Sequence, residues 1–179
     1  MKLHLGCGSK YIDGWYHVDA LPLPHVDHVG PVEDLHFIPD ASVELIYASH
    51  VLEHFGRRTY LQALREWRRV LQPGGVLRLA VPDFGAVAHL YVEGKLPRGI
   101  EDVRGLVSGG QRDSYDFHGM IFDEASLSAA LREAGFRATR RWDWRKTEHS
   151  HIDDYSQAYL PHLDKENGVL VSLSIEGVA

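Results

Sequence analysis

The chain has 179 residues, enough for one domain with a sizeable core, and its 44% hydrophobic and 25% charged residues are ordinary for a globular protein. A net charge of −6 argues against a general nucleic-acid binder, which needs many phosphate contacts, and no apolar run approaches the roughly 18 residues of a membrane span. A lone cysteine cannot form an internal disulfide, so a reducing cytoplasm is the expected compartment.

The opening "MKLHLGCG" breaks too soon for a signal peptide. "MKLHL" and "WYHVD" read as short buried strands, and "HVDHV" as a third after the loop marked by Pro22 and Pro24. "VELIYAS" (43–49), rich in β-branched and aromatic residues, is a stronger strand. Leu61, Leu64, Trp67, Val70 and Leu71 follow a helical stripe over 57–71, which "QPGG" terminates because Pro73 cannot continue it. The positive charge of "RRTYLQALREWRR" reads as a solvated face of that helix, with a binding patch as the alternative.

"VLRLAVP" (76–82) is the next strand, and "FGAVAHLYVEG" a helix behind Asp83. Residues 94–117, with five glycines, read as a mobile or partner-dependent loop. Asp123 is placed to cap "EASLSAALREAGF", a helix stopping at Gly135. "FRATRRWDW" and "VLVSLSIEG" are late strands. Strands alternating with helices predict one α/β domain over 1–179 with a mostly parallel sheet, and the last two strands leave room for an antiparallel hairpin at the edge.

Ligands of such sheets bind at the carboxyl ends of the strands, beside the first one. Gly6 and Gly8 lie there and let backbone approach a ligand closely, while Asp19 ends the next strand, where a carboxylate can take both hydroxyls of a ribose. A dinucleotide fingerprint would need a third glycine, and a P-loop would need G-K-[ST]; "GCGSKY" supplies neither. A nucleoside without phosphate, such as S-adenosylmethionine, fits better.

"LHLGCG", "VD", "LHFIPDASVELIYASHVLEHF" and "VLQPGGVLRLAVPD", in this order and spacing over residues 3–83, resemble the successive motifs of class I S-adenosylmethionine-dependent methyltransferases, nearest their small type 11-like branch. The resemblance implies a Rossmann-like three-layer sandwich with a seven-stranded, mostly parallel sheet and an antiparallel edge strand. It implies that Gly6, Cys7 and Gly8 border the methionine moiety, that Asp19 holds the ribose, and that Ala20 and Leu21 lie against adenine. Ser49 and His50, at the end of the fourth strand, would also face the cofactor.

Two departures stand out. The helix after the first strand is compressed, and Pro31 occupies the position where the family often carries an acid for the adenine amine, leaving Glu33 or Asp34 as substitutes. Those departures also motivate an alternative, a methyltransferase-fold scaffold that has lost catalysis.

His50 and His54 in "HVLEH" are i and i+4, on one face if the segment is helical. H-x-x-E-H is also the inverted zincin pattern, with Glu101, Asp102 or His118 as a third ligand, but zincin chemistry would not explain the glycine and aspartate motifs. A methyltransferase that holds a divalent metal through His50, Glu53 and His54, with His118 completing the set, stays open as an alternative. The main reading assigns no metal. It moves the sulfonium methyl to an oxygen or nitrogen of a small molecule, a sugar or another metabolite, with no nucleic-acid or membrane partner. His50 and His118 are its leading bases, with Asp83 behind them and capping as the other role of Asp83. Cys7 reads as a small residue between glycines rather than a nucleophile.

Overall fold

The computed structural model describes residues 1–162 and 164–179. Its main sheet has seven strands in the order β3-β2-β1-β4-β5-β9-β6: β1 (Lys2–Leu5), β2 (Tyr16–Asp19), β3 (His28–Val29), β4 (Val43–Ser49), β5 (Leu71–Pro82), β6 (Ala138–Arg141) and β9 (Ser172–Val178). Two short strands, β7 (Tyr159–Leu160) and β8 (Val169–Leu170), pair separately. The helices are α1 (Tyr60–Val70), α2 (Phe84–Val92), α3 (Arg104–Ser108) and α4 (Glu124–Glu133).

β1 to β5 pair in parallel, and only β9 is reversed. The expected antiparallel hairpin at the edge is present, but its reversed strand lies one place in, between β5 and the edge strand β6. Glu176 of β9 fixes that junction: its carboxylate accepts from Arg78 Nε at 2.9 Å on one side and from Arg140 Nε at 2.8 Å on the other.

β4 explains why the run reads as nearly continuous apolar sequence. Ile46 and Ala48 face the main core with α1 and α4, while Leu45 and Tyr47 face the opposite side, so both faces are buried. α1 buries Ala63, Leu64, Trp67 and Val70, a stripe of helical period, and Trp67 Nε1 donates to the Val32 carbonyl at 2.8 Å. The helix ends at Val70, and β5 begins at Leu71, earlier than the sequence predicts, because Leu71 already pairs with Val43; the chain then bulges through the left-handed Gly74, and regular pairing resumes at Leu45 with Val76. α4 starts at the expected cap: Asp123 accepts from Ser126 N, and Ser126 Oγ accepts from Asp123 N.

The second face of the sheet is covered largely by loops. Ile12, Trp15, Leu45 and Tyr47 pack there with Trp142 and Ile152, and His149 is buried against Tyr47 at 4.2 Å between ring centroids. α2 and α3 form a third apolar cluster with Val171. Strand order reverses at β1, with β2 on one side and β4 on the other, so the crevice at the carboxyl end of β1 is the topological switch point. No helix of the described residues is long and apolar enough to cross a membrane.

Candidate functional site

Gly6 and Gly8 follow β1 with φ of +59° and +51°, left-handed values that favour glycine. At Gly6 a Cβ would stand 2.5 Å from Val51 Cγ2, so the turn is packed from below; at Gly8 it would meet nothing within 4 Å. The turn is therefore closed on the protein side at Gly6 and open at Gly8.

Asp19, at the end of β2, is buried beside this opening. Its Oδ2 accepts from Gly8 N at 2.7 Å and its Oδ1 from Leu21 N at 2.9 Å. Each carboxylate oxygen retains a lone pair for a further donor, as a ribose diol requires. Leu21 exposes its side chain next to that carboxylate, and Ala20 is half-buried. Ser49 Oγ, at the end of β4, is buried with no hydrogen-bond partner. An open glycine turn, a carboxylate with capacity to spare and an unpartnered hydroxyl fit a ligand with a diol and further polar groups.

Cys7 is inert here. Burial, with the Asp19 carboxylate adding to it, pushes its thiol up to about 12, so it stays protonated. Glu33 and Asp34 are exposed beyond β3; Asp34 accepts from His36 Nδ1 at 2.9 Å, which holds its carboxyl below the usual range.

"HVLEH" does not form a helix from His50. His50 takes a left-handed φ of +54°, and only Leu52–His54 makes a 3-10 turn, so His50 and His54 do not share a helical face. The His50 ring turns into the protein instead: Nε2 lies 3.2 Å from Ser172 Oγ and Nδ1 lies 3.2 Å from Glu53 Oε1. Glu53 is almost fully buried, and neither carboxyl oxygen has a hydrogen-bond partner.

His118 Nε2 approaches Glu53 Oε1 at 4.0 Å from the opposing loop, which is fixed there by Gly119 N and Met120 N donating to the Glu53 carbonyl. His54 meets His118 edge-on at 4.8 Å between ring centroids. Glu53, His54 and His118 each offer one ligand atom, and these atoms lie within 4.8 Å of one another.

Burial decides the protonation states. It drives the Glu53 carboxyl up to about 8 and the His50 imidazole down to about 3, and lowers His118 as well. At neutral pH Glu53 is therefore a carboxylic acid facing His50 Nδ1, and both histidines are neutral.

Asp83 lies at the end of β5, where its Oδ1 accepts from Ala86 N at 3.1 Å and caps α2. The structure brings Gly8 and Asp19 together at one crevice and sets His50 and His118 on either side of Glu53, and the sequence reading names all four as candidates. That reading leaves out Ser172 and His25, and gives Glu53 a place only in the metal alternative. No spacing signal marks Ser172 or His25, because both reach the site from loops or strand ends distant in sequence.

Residues 3–79 match the family described as "Methyltransferase domain". No curated protein matches the chain. Several solved structures are similar over 99% of this chain. One is a S-adenosylmethionine-dependent methyltransferase from Archaeoglobus fulgidus, 14% identical, with TM-score 0.59 and 85% of its chain covered. A second is a putative methyltransferase from Haloferax volcanii in complex with the Trm112 methyltransferase activator, 18% identical, with TM-score 0.57 and 81% covered. The third is the Burkholderia thailandensis 1,6-didemethyltoxoflavin-N1-methyltransferase with its acceptor and S-adenosylhomocysteine bound, 16% identical, with TM-score 0.57 and 69% covered. The switch-point crevice and the sheet order agree with these neighbours: the chain has the fold of class I methyltransferases, and residues 3–79 of it match a methyltransferase domain.

Proposed function

We propose that the chain is an S-adenosylmethionine-dependent methyltransferase acting on an oxygen or nitrogen of a small-molecule acceptor, with His50 and His118 taking the acceptor's proton. The observation that carries this reading is the buried set His50–Glu53–His118 at the carboxyl end of the sheet. S-adenosylmethionine supplies an already activated sulfonium methyl, so the protein's main task is alignment. Gly6, Cys7 and Gly8 line the turn that receives the methionine end, Asp19 holds the ribose, Ala20 and Leu21 flank the base, and Ser49 offers a free hydroxyl.

His118 Nδ1 donates to the Leu106 carbonyl at 3.1 Å, which leaves Nε2 with its lone pair. A neutral imidazole with a free nitrogen is suited to act as a base at pH 7. His50 stands beside it at the end of β4, with its ring nitrogens 3.2 Å from Glu53 Oε1 and 3.2 Å from Ser172 Oγ. Asp83 ranks behind both, since one of its oxygens is committed to the α2 cap. Neither Glu33 nor Asp34 has a contact that favours it for adenine, so backbone groups are the better readers of the base. The Burkholderia thailandensis neighbour, named for a small-molecule acceptor, supports the acceptor class.

The test is the double variant His50→Ala/His118→Ala, assayed by release of S-adenosylhomocysteine over a panel of hydroxyl and amine metabolites. Turnover should fall by about 100-fold or more while S-adenosylhomocysteine still binds. Unchanged turnover would remove both residues from the mechanism.

A second reading rests on a separate observation. His54 Nδ1 donates to the Phe117 carbonyl at 3.2 Å, as His118 Nδ1 does to Leu106, so both rings keep Nε2 free beside the unpartnered Glu53 oxygens. Metal-bound histidines use this same backbone anchoring of the second nitrogen. Two imidazoles and one carboxylate suit a borderline divalent ion such as zinc or manganese, which would acidify an acceptor hydroxyl. Chelator-treated protein titrated with zinc, manganese or magnesium should gain thermal stability in the wild type and not in His118→Ala. No gain with any ion removes this reading and leaves the proton-holding one.

A further inference from the structure

The crevice at the end of β1 has an unusual support. In an open α/β sheet the glycine turn after the first strand normally runs into a helix, whose backbone holds the turn in place. Here residues 6–15 contain no helix, yet the left-handed Gly8 is held at both of its backbone groups. Its N–H donates to Asp19 Oδ2 at 2.7 Å, and its carbonyl lies 2.9 Å from His25 Nε2. A carbonyl only accepts, so His25 carries its proton on Nε2 and donates.

His25 is itself fixed by neighbours from the same short segment. Its ring meets Tyr11 edge-on at 6.2 Å and His17 edge-on at 5.7 Å, and Cys7 Sγ lies 3.8 Å from the same Nε2. His17 carries the other end of the segment: its Nε2 accepts from Ile12 N at 3.0 Å, and Tyr11 stacks on its face at 5.0 Å. Two histidines and a tyrosine thus do for this turn what a helix would otherwise do.

We infer that His25 is a positioning residue for the cofactor, holding the Gly8 carbonyl so that the turn stays open toward the ligand; this rests on reading the crevice as the S-adenosylmethionine site. His25 acts through Gly8, so its loss weakens cofactor binding and leaves the transfer step itself intact. Gln places an amide donor at about the reach of His Nε2. Leu fills similar volume with no donor, and Asn carries a donor that falls short of the Gly8 carbonyl.

The experiment is calorimetric titration with S-adenosylhomocysteine of the wild type, His25→Leu, His25→Gln and His25→Asn, with steady-state kinetics alongside. The expected result is a Kd raised about tenfold in His25→Leu and His25→Asn and within about threefold of wild type in His25→Gln. The KM for S-adenosylmethionine should follow Kd, with kcat at saturating donor changed by less than about twofold. Wild-type affinity in His25→Leu, or equal weakening in all three variants, overturns the inference, the latter because packing alone would then explain it. Should the Leu variant not fold, the Gln–Asn comparison decides in the same way. A wild type that does not bind overturns the cofactor reading and this inference together; a wild type that binds while the variants match it overturns only the role of His25.

Discussion

His50 Nδ1 and Glu53 Oε1 stand 3.2 Å apart inside the carboxyl end of the sheet, and burial makes both groups neutral at pH 7. The contact is a carboxylic acid facing an imidazole rather than an ion pair, and this sets the first prediction. Glu53 titrates near 8 in the folded protein, well above an ordinary carboxyl. A raised carboxyl makes the native state bind the extra proton, so its contribution is fully present below the unfolded value and is lost as pH rises through about 8. Melting temperature followed from pH 5 to pH 9 should show that decline in the wild type and lack it in Glu53→Gln, which mimics the protonated form. An equal decline in both would mean that Glu53 is ionised in the native state.

The loop-covered second face should be the acid-sensitive part. Burial, with like-charge repulsion from His17 and His149 behind it, lowers His4 to about 3; burial, followed by Arg78, lowers His149 to about 4. Histidines buried neutral contribute stability above the unfolded value near 6.5 that is lost as pH falls toward their folded values. Each steepens the loss by about 1.4 kcal/mol per pH unit inside that window. His4→Phe keeps the ring and removes the titration, and its stability between pH 6.5 and pH 4 should fall less steeply than wild type, read by Trp15 and Trp142 fluorescence. Parallel slopes would contradict this.

The two glycines of the turn should fail differently. Gly6→Ala forces a Cβ to 2.5 Å from Val51 Cγ2 and adds left-handed strain, so it should cost stability, on the order of 2 kcal/mol. Gly8→Ala carries only the strain, about 1 kcal/mol, because its Cβ enters open space. That space is the proposed ligand site, so Gly8→Ala should fold well and lose affinity for S-adenosylhomocysteine. Thermal melts and binding titrations of the pair separate these effects, and a Gly8→Ala variant with full affinity would move the ligand elsewhere.

Asp83 should behave as a cap. Asp83→Ala removes the acceptor for Ala86 N and should cost about 1 kcal/mol of stability. Asp83→Asn keeps an acceptor oxygen there and should retain kcat/KM within about threefold. A hundredfold loss in Asp83→Asn without a change in melting temperature would instead make it a catalytic carboxylate.

What the sequence reveals here follows from whether a signal is local. The strand–glycine–strand opening, the α1 stripe ending before Pro73 and the Asp123 cap of α4 are set by neighbouring residues, and each appears at its expected place. "HVLEH" shows the limit. Spacing alone suggests His50 and His54 on one helical face, but the left-handed backbone at His50 breaks that geometry and pairs His54 with His118, 64 residues away. His25 is invisible for a similar reason: it sits in a proline-marked loop, and its partner is a backbone carbonyl across the crevice. The reversed strand is legible as an edge hairpin, whereas its insertion beside β5 depends on long-range pairing such as Arg78 with Glu176.

The most direct measurement is calorimetric titration of the wild type and Asp19→Ala with S-adenosylhomocysteine. The account predicts saturable one-site binding by the wild type, weakened by about 2 kcal/mol in Asp19→Ala through loss of the carboxylate's hydrogen bonds. Absence of wild-type binding, or equal affinity in the two proteins, would contradict a cofactor seated between Gly8 and Asp19.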